Sequence, residues 1–398
     1  PANDVTVTVE VEPILFAGGS GTEEDPYQVA TAVQLDSVRY LLDKHFKQTA
    51  DIDLSSYNTG LGWEPIGDWD SPFIGAFDGK YNTISNLTIN RSTTDYVGLF
   101  GFAEGAQIKN VKLENVNVTG SEGVGGLVGE NSGTITNSYA TGAVTGVNYY
   151  VGGLVGWNYG EIANSYASGT IAGTEDVGGL VGGNDGEITN SYASGTISGT
   201  EYVGGLVGIN IGAITNSYTT GAVTGTGNIF GGLVGINNQG TVTNSYWDTD
   251  TSGTKSSAGG TGKTEAQMKQ QETYEGWDFI DIWNIEGSRN NGYPFLKNNP
   301  PVETLISITS PSAITGIANG TTKTAAALGL PAKVTLVTNG GNAEADVSWD
   351  VAACSYNPAV TTEQTFTVSG TVTLPTGVVN PNSVPLTTSI SVTVNARP

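Results

Sequence analysis

Hydrophobic and polar positions in this chain recur on a long period. Leu99, Leu127, Leu154, Leu180, Leu206 and Leu233 stand 26 to 28 residues apart, the first inside VGLFG and the others inside blocks of the type VGGLVGxN or FGGLVGxN. A second block, Asn-Ser-Tyr, runs in phase and ends on Tyr139, Tyr166, Tyr192, Tyr218 and Tyr246. Self-similarity at this period predicts a solenoid. Within one unit, short alternating stretches at 151–155, 161–167 and 170–172 are separated by turn residues at 158–160 and 168–169. This spacing predicts three short strands per coil. Stacked coils would place equivalent strands side by side, parallel and about 4.8 Å apart. Leu154, Ile162 and Ile171 then point inward, between Leu127, Ile135 and Val144 of one neighbour and Leu180, Ile188 and Ile197 of the other. The expected fold is all-β: a capped, parallel, three-faced β-helix (β-solenoid), with the repeats over 97–250.

The flanks fit this plan. Residues 1–12 alternate and read as a strand remnant of a preceding module. Residues 13–96 read as an N-terminal cap and first coils, with short strands at 51–54, 75–77 and 83–89. In that cap TAVQ at 31–34 is a capping box, and Leu35, Val38, Leu42 and Phe46 follow at helical spacing. One amphipathic helix over 31–46 is predicted, closing the open end of the stack. After the repeats, a polar loop (248–262), a second capping box at 264–267 and a run of hydrophobes from Trp277 to Phe295 predict a C-terminal cap over 251–298. Residues 298–301 (NNPP) read as a linker. Alternation at 305–309, 333–338, 346–351, 365–374 and 389–395 then predicts an immunoglobulin-like β-sandwich over 302–398, with Trp349 in its core.

Charge narrows the partners. The chain carries 15 basic and 38 acidic residues, a net charge of −23. That disfavours nucleic acid and anionic membrane surfaces, which require Lys/Arg patches. Cys354 is the single cysteine, so no disulfide holds the fold, and His45 is the single histidine. No transmembrane run is present, so direct membrane insertion is not expected. The chain begins on Pro1 without an initiator Met, which reads as a segment whose partners include neighbouring domains of a longer protein.

Three residue groups are candidates for chemistry. Tyr149, Tyr150, Trp157, Tyr159 and Tyr202 form the best candidate for an aromatic ligand patch. Tyr139, Tyr166, Tyr192, Tyr218 and Tyr246 would form an exposed ladder if the Asn turn reverses side-chain parity, either gripping a polysaccharide or stacking on itself. Asp68, Asp70 and Asp78 lie among the aromatics of the first coils and are weak candidates for a Ca²⁺ site; no other cofactor is expected. Catalysis finds little support. From Leu113 to Thr254 there is no Lys, Arg or His, so a lyase would lack its cation. The acids Glu130, Glu161, Asp185 and Glu187 form no evident pair of acid and nucleophile.

The pattern VGGLVGxNxGxIxNSYAxGxVxG resembles the GLUG repeat of bacterial surface proteins, adhesins and the non-catalytic regions of some immunoglobulin A peptidases. The segments GSGTEEDPYQVATAVQLDSVR before the repeats and AQMKQQETYEGWDFIDIWNIEG after them are similar to the flanks of such repeats. The C-terminal module resembles bacterial Ig-like domains of cell-surface proteins. The resemblance implies an extracellular location at a bacterial cell surface or cell wall, and it implies no catalytic residue. The resulting expectation is a non-catalytic adhesin or rigid stalk segment. A polysaccharide-binding module using the aromatic columns is the alternative, and a β-helix polysaccharide-degrading enzyme a weaker one. Partners under these readings are a cell-surface glycan or a surface protein of a host or another cell.

Overall fold

A computed structural model describes residues 16–227, 229–286, 289–338, 341–375, 377–380 and 383–398. The strand expected at 1–12 lies outside these residues. The chain divides into two compact units: one runs to Met268 and takes in Glu272–Asp278, the other comprises Lys269–Gln271 and Phe279–Pro398. Part of the expected cap, 279–298, thus clusters with the C-terminal sheet.

The first unit is a parallel β-solenoid. Its strands stack into four parallel sheets of nine, five, six and eleven strands. One coil shows how the repeat builds them: Tyr149–Gly152, Val155–Asn158, Glu161–Ala163 and Tyr166–Ala172. This is a finer division than three strands. The block VGGLV bends at Gly153 and Leu154, and Asn164 bends the chain again at φ 50°. The predicted break at 168–169 is instead absorbed into one strand, because Gly169 takes φ 136° without leaving the ladder. Even the corner residues remain paired between coils: Leu127 N donates to Leu154 O (2.9 Å) and Leu154 N to Leu180 O (3.0 Å).

The interior follows the expectation. Leu154, Ile162 and Ile171 are fully buried in one aliphatic cluster with their equivalents in neighbouring coils. The register aligns like with like, Ile135 beside Ile162 beside Ile188 beside Ile214. Burying side chains of this size contributes about 1.5–3 kcal/mol each. A second stabilising device is polar. Asn131, Asn158, Asn184, Asn210 and Asn237 end the VGxN strands and are linked amide to amide, Nδ2 to Oδ1, at 2.8, 2.9, 2.8 and 3.0 Å. Ser138, Ser165, Ser191, Ser217 and Ser245 form another column, each Oγ accepting from the backbone N–H of the coil before at 3.1–3.2 Å. The Asn of each Asn-Ser-Tyr block adopts the left-handed turn its type favours, with φ 45–50° at Asn137, Asn164, Asn190, Asn216 and Asn244.

The N-terminal end differs from the predicted single helix. The capping box forms, with Gln34 N donating to Thr31 Oγ1 at 3.3 Å, but the α-helix covers only Ala32–Asp36 and passes into a 3₁₀ turn at Ser37–Tyr40. His45–Gln48 is a strand, paired between Tyr27–Val29 and Ala76–Asp78. At 45–48 burial alternates with period two, so pairing in the sheet wins over the helical spacing read across the turn. Leu35 and Val38 still plug the core as a cap should. At the other end the second capping box opens the short helix Glu265–Met268, with Gln267 N donating to Thr264 Oγ1 (3.3 Å). The loop expected at 248–262 runs into a strand, Thr261–Lys263, that pairs parallel with Tyr246–Asp248.

In the second unit the five predicted strands appear as Glu303–Ile308, Lys333–Thr338, Gly341–Trp349, Gln364–Thr373 and Thr387–Val394. With Ile314–Ile317 and Val378–Val379 they join in one seven-stranded, mostly antiparallel, curled sheet. Trp349 packs against both of its apolar clusters, and its indole N–H donates to Pro331 O at 2.7 Å. Cys354 is buried in one cluster, where its Sγ contacts Val351 O at 3.2 Å.

Candidate functional site

The tyrosine ladder is real but buried, which corrects the expectation of an exposed column. Tyr139, Tyr166, Tyr192 and Tyr218 are at most 1% exposed and Tyr246 is 8% exposed. The rings stack coil on coil, with centroids 4.7, 4.8 and 5.0 Å apart along Tyr139, Tyr166, Tyr192 and Tyr218. Parity does reverse at the Asn turn: Ser138 and Ala140 face the interior, and the Tyr stands on the other side. Stacking at the coil spacing covers both faces of each inner ring. At one end Tyr139 Oη donates to Glu114 at 2.7 Å, and at the other Tyr274 and Trp277 pack on Tyr218 and Tyr246. The ladder therefore stabilises the fold and offers no ligand platform.

The proposed Ca²⁺ acids do not converge. Asp68 Oδ1 accepts from the backbone N–H of Asp70 and Ser71 (3.1 and 2.8 Å), closing its own loop. Asp78 is paired with Lys80 at 2.9 Å and also accepts from Asn110 Nδ2 at 2.8 Å. Among the described residues no group of three His, Cys, Asp or Glu is arranged to hold a metal ion.

Of the five candidate aromatics the fold brings four together, Tyr149, Tyr150, Trp157 and Tyr159. Tyr150 and Tyr202 occupy the same left-handed position in their coils, at φ 59° and 54°, as do Tyr96 and Asp176 at 56° and 53°. Tyr150 lies against Trp157 (3.7 Å between centroids), Trp157 stacks on Tyr159 (5.3 Å, 8°), and Tyr149 sits 6.1 Å from Tyr150. Tyr149 and Tyr159 are 44% and 47% exposed. Gly183 stands beside Trp157 in the next coil, and a Cβ there would come within 3.0 Å of Tyr150 Cδ1 and 3.5 Å of Trp157 Cδ2. The absent side chain makes room for both rings. Tyr202 lies two coils from Tyr150 in the same column and is half-buried. Trp69, outside the expected patch, is exposed and stacks on Phe102 and Tyr96 at 5.3 and 5.7 Å.

Sequence reasoning weighs Glu130 and Asp185 only as catalytic acids, apart from the aromatics, and misses Asp176. Glu130 precedes Trp157 in the same column and is 6% exposed; burial, then the Glu122 charge, pushes its carboxyl up to about 7. Asp176 follows Tyr150 in its column and is also 6% exposed; burial, then Glu175, raises it to about 7. Burial raises Asp185, which follows Tyr159 in its turn. The hydroxyl of Tyr150 is pushed up to about 12 by burial and by the charge of Asp176. The available signal was positional: these acids sit where neighbouring coils carry aromatics.

Burial thus moves the carboxyls of Glu130 and Asp176 in the same direction.

Comparison with known proteins agrees with the coil architecture. The family described as the GLUG motif matches residues 120–145, 147–172, 173–198 and 199–224. These coils are GLUG repeats. Over 131 residues the chain is 43% identical to a candidate Gly-rich membrane protein of Evansella cellulosilytica, covering 31% of this chain and 15% of that protein. Over 139 residues it is 41% identical to Halomucin of Haloquadratum walsbyi, covering 33% of this chain and 2% of that protein. The match thus spans a small part of either relative. Among solved structures, a candidate immunoglobulin A1 protease from Bacteroides ovatus is 26% identical with a TM-score of 0.58, over 71% of this chain and 95% of that one. In this chain the GLUG coils carry both the buried Tyr ladder and the aromatic corner.

Proposed function

We propose that the chain is a non-catalytic, extracellular segment of a surface protein that acts as a stiff, adhesive spacer. The carrying observation is the continuity of the coil-to-coil ladders. Backbone pairing, aliphatic stacks, and Asn, Ser and Tyr columns all run through the same coils. Each coil is held by its neighbours alone, as in other solenoids, so the unit is rigid along its axis. The names of the two curated relatives, a Gly-rich membrane protein and a halomucin, support a surface setting. Among the described residues no helix is long and apolar enough to cross a membrane.

A non-catalytic segment should leave immunoglobulin A1 and a panel of neutral and uronic polysaccharides uncut on long incubation. Release of antibody fragments, reducing ends or unsaturated uronates would overturn the reading. Beads coated with the chain should adhere to cells or surface glycans more strongly than bare beads; equal adhesion would remove the adhesive part of the proposal.

A further inference from the structure

The net charge of −23 hides a local exception. Seven of the 15 Lys and Arg residues fall between Arg39 and Lys112, and none lies between Leu113 and Thr254. The first coils gather three of the seven, Lys47, Lys80 and Lys109, on one face. His45–Gln48, Ala76–Asp78 and Gln107–Lys109 are parallel neighbours, with Phe46 beside Phe77 beside Ile108 and Lys47 beside Asp78 beside Lys109. Phe46, Phe77 and Ile108 are buried in the core, so alternation turns Lys47, Asp78 and Lys109 outward. Lys80, two residues after Asp78, and Lys109 share one oxygen of that carboxylate: their Nζ atoms stand 2.9 and 3.9 Å from Asp78 Oδ2. Lys47 joins no salt bridge among the described residues. These side chains line an open groove of about 390 Å³ together with His45, Gln107 and Glu23. Three ammonium groups there face two carboxylates. The groove is one negative charge short, on a chain that elsewhere carries an excess of them.

We propose that this groove binds one anionic sugar unit, a uronate or a sulfate-bearing hexose, of an acidic polysaccharide. The charge selects an anion. Lys47 and Lys109 stand two coils, about 10 Å, apart, so one anionic group between them is within reach of both flexible side chains. The neutral lining selects a sugar. The Gln107 amide and the His45 imidazole offer donors and acceptors to hydroxyl groups, and the volume falls in the range of small-ligand sites. Further along the same sheet Glu161 and Glu187 are exposed and occupy the column of Gln107. They repel further anionic units and confine the charged contact to the first coils. This names a ligand class for the adhesive reading and rests on that reading for its role. Binding of a soluble oligosaccharide is measured on the free chain, so it can fail while coated beads still adhere, and the reverse.

The test is retention of the full chain on immobilised polygalacturonate, carrageenan, dextran and polyglutamate, followed by titration with an oligosaccharide of the acidic polymer retained. The proposal expects polygalacturonate or carrageenan to retain the chain, the first assigning a carboxylate and the second a sulfate ester to the groove. Affinity should fall as salt is raised. Lys47→Gln and Lys109→Gln should each weaken binding about threefold and together about tenfold. Lys47→Arg, which keeps the charge, should bind as the unaltered chain does, and so should Lys333→Gln, which removes a lysine from the second unit. Retention on neither acidic polysaccharide would overturn the proposal. So would dextran or polyglutamate held as tightly, affinity indifferent to salt, or unchanged affinity in the double Lys→Gln variant.

Discussion

Asp176 is the residue on which several physical demands conflict. It occupies a left-handed backbone position that Asp tolerates better than most side chains, yet it is buried with an oxygen unpartnered. Its carboxyl is raised from 3.8 to about 7, and that of Glu130 from 4.5 to about 7. The folded state therefore binds these protons more tightly than the unfolded chain. Between about pH 4 and 7 it holds more protons, so stability contributed by these groups is present at the acid end and falls as pH rises. Asp176→Asn removes one of the two groups without changing the backbone preference. We expect its melting temperature at pH 7.5 to exceed that of the unaltered chain, with the difference shrinking towards pH 4. An equal difference at both pH values would show that the buried charge is not the cause. Nothing in the local sequence marks Asp176 as unusual, because a buried acid and a surface acid read alike in an alternating strand. The same limit hid the fate of Tyr166 and Tyr192. Parity told which way they point, but only the ring-on-ring stacking shows that they are covered.

At the scale of the element, the repeat was legible to the extent that periodicity encodes it. The aliphatic stacks, the left-handed Asn turns and both capping boxes lie where the pattern puts them. Long-range pairing overruled the helix expected over 31–46, because His45–Gln48 finds neighbours on both edges. The Asn column from Asn131 to Asn237 was legible in principle as the last letter of each VGGLVGxN block. Its role follows only from burial: amides linked at 2.8–3.0 Å along a largely buried corner. Asn158→Ala would cut two of these links and leave partner groups of Asn131 and Asn184 unpaired in a buried site. We expect a loss of about 2–4 kcal/mol by denaturant unfolding. Asn190→Gly, at φ 46° in the other Asn column, should cost less than about 1 kcal/mol. Similar costs for the two would mean that the buried amide ladder is no more than a turn preference.

For the molecule as a whole, the described strands form two units with different logic. The second is a curled sheet of long antiparallel neighbours such as Gln364–Thr373 with Thr387–Val394, organised around Trp349 and two apolar clusters. The first is quasi-one-dimensional, with every coil stabilised through the coils on either side. The central claim is that the GLUG repeat is a device for stacking coils. Hydrogen exchange read by mass spectrometry along 120–224 tests the stacking directly. The account predicts strong and similar protection in every coil, lost together when the solenoid opens as one cooperative unit. Coils that exchange one by one, each with its own rate and with weak protection in the middle of the stack, would contradict it.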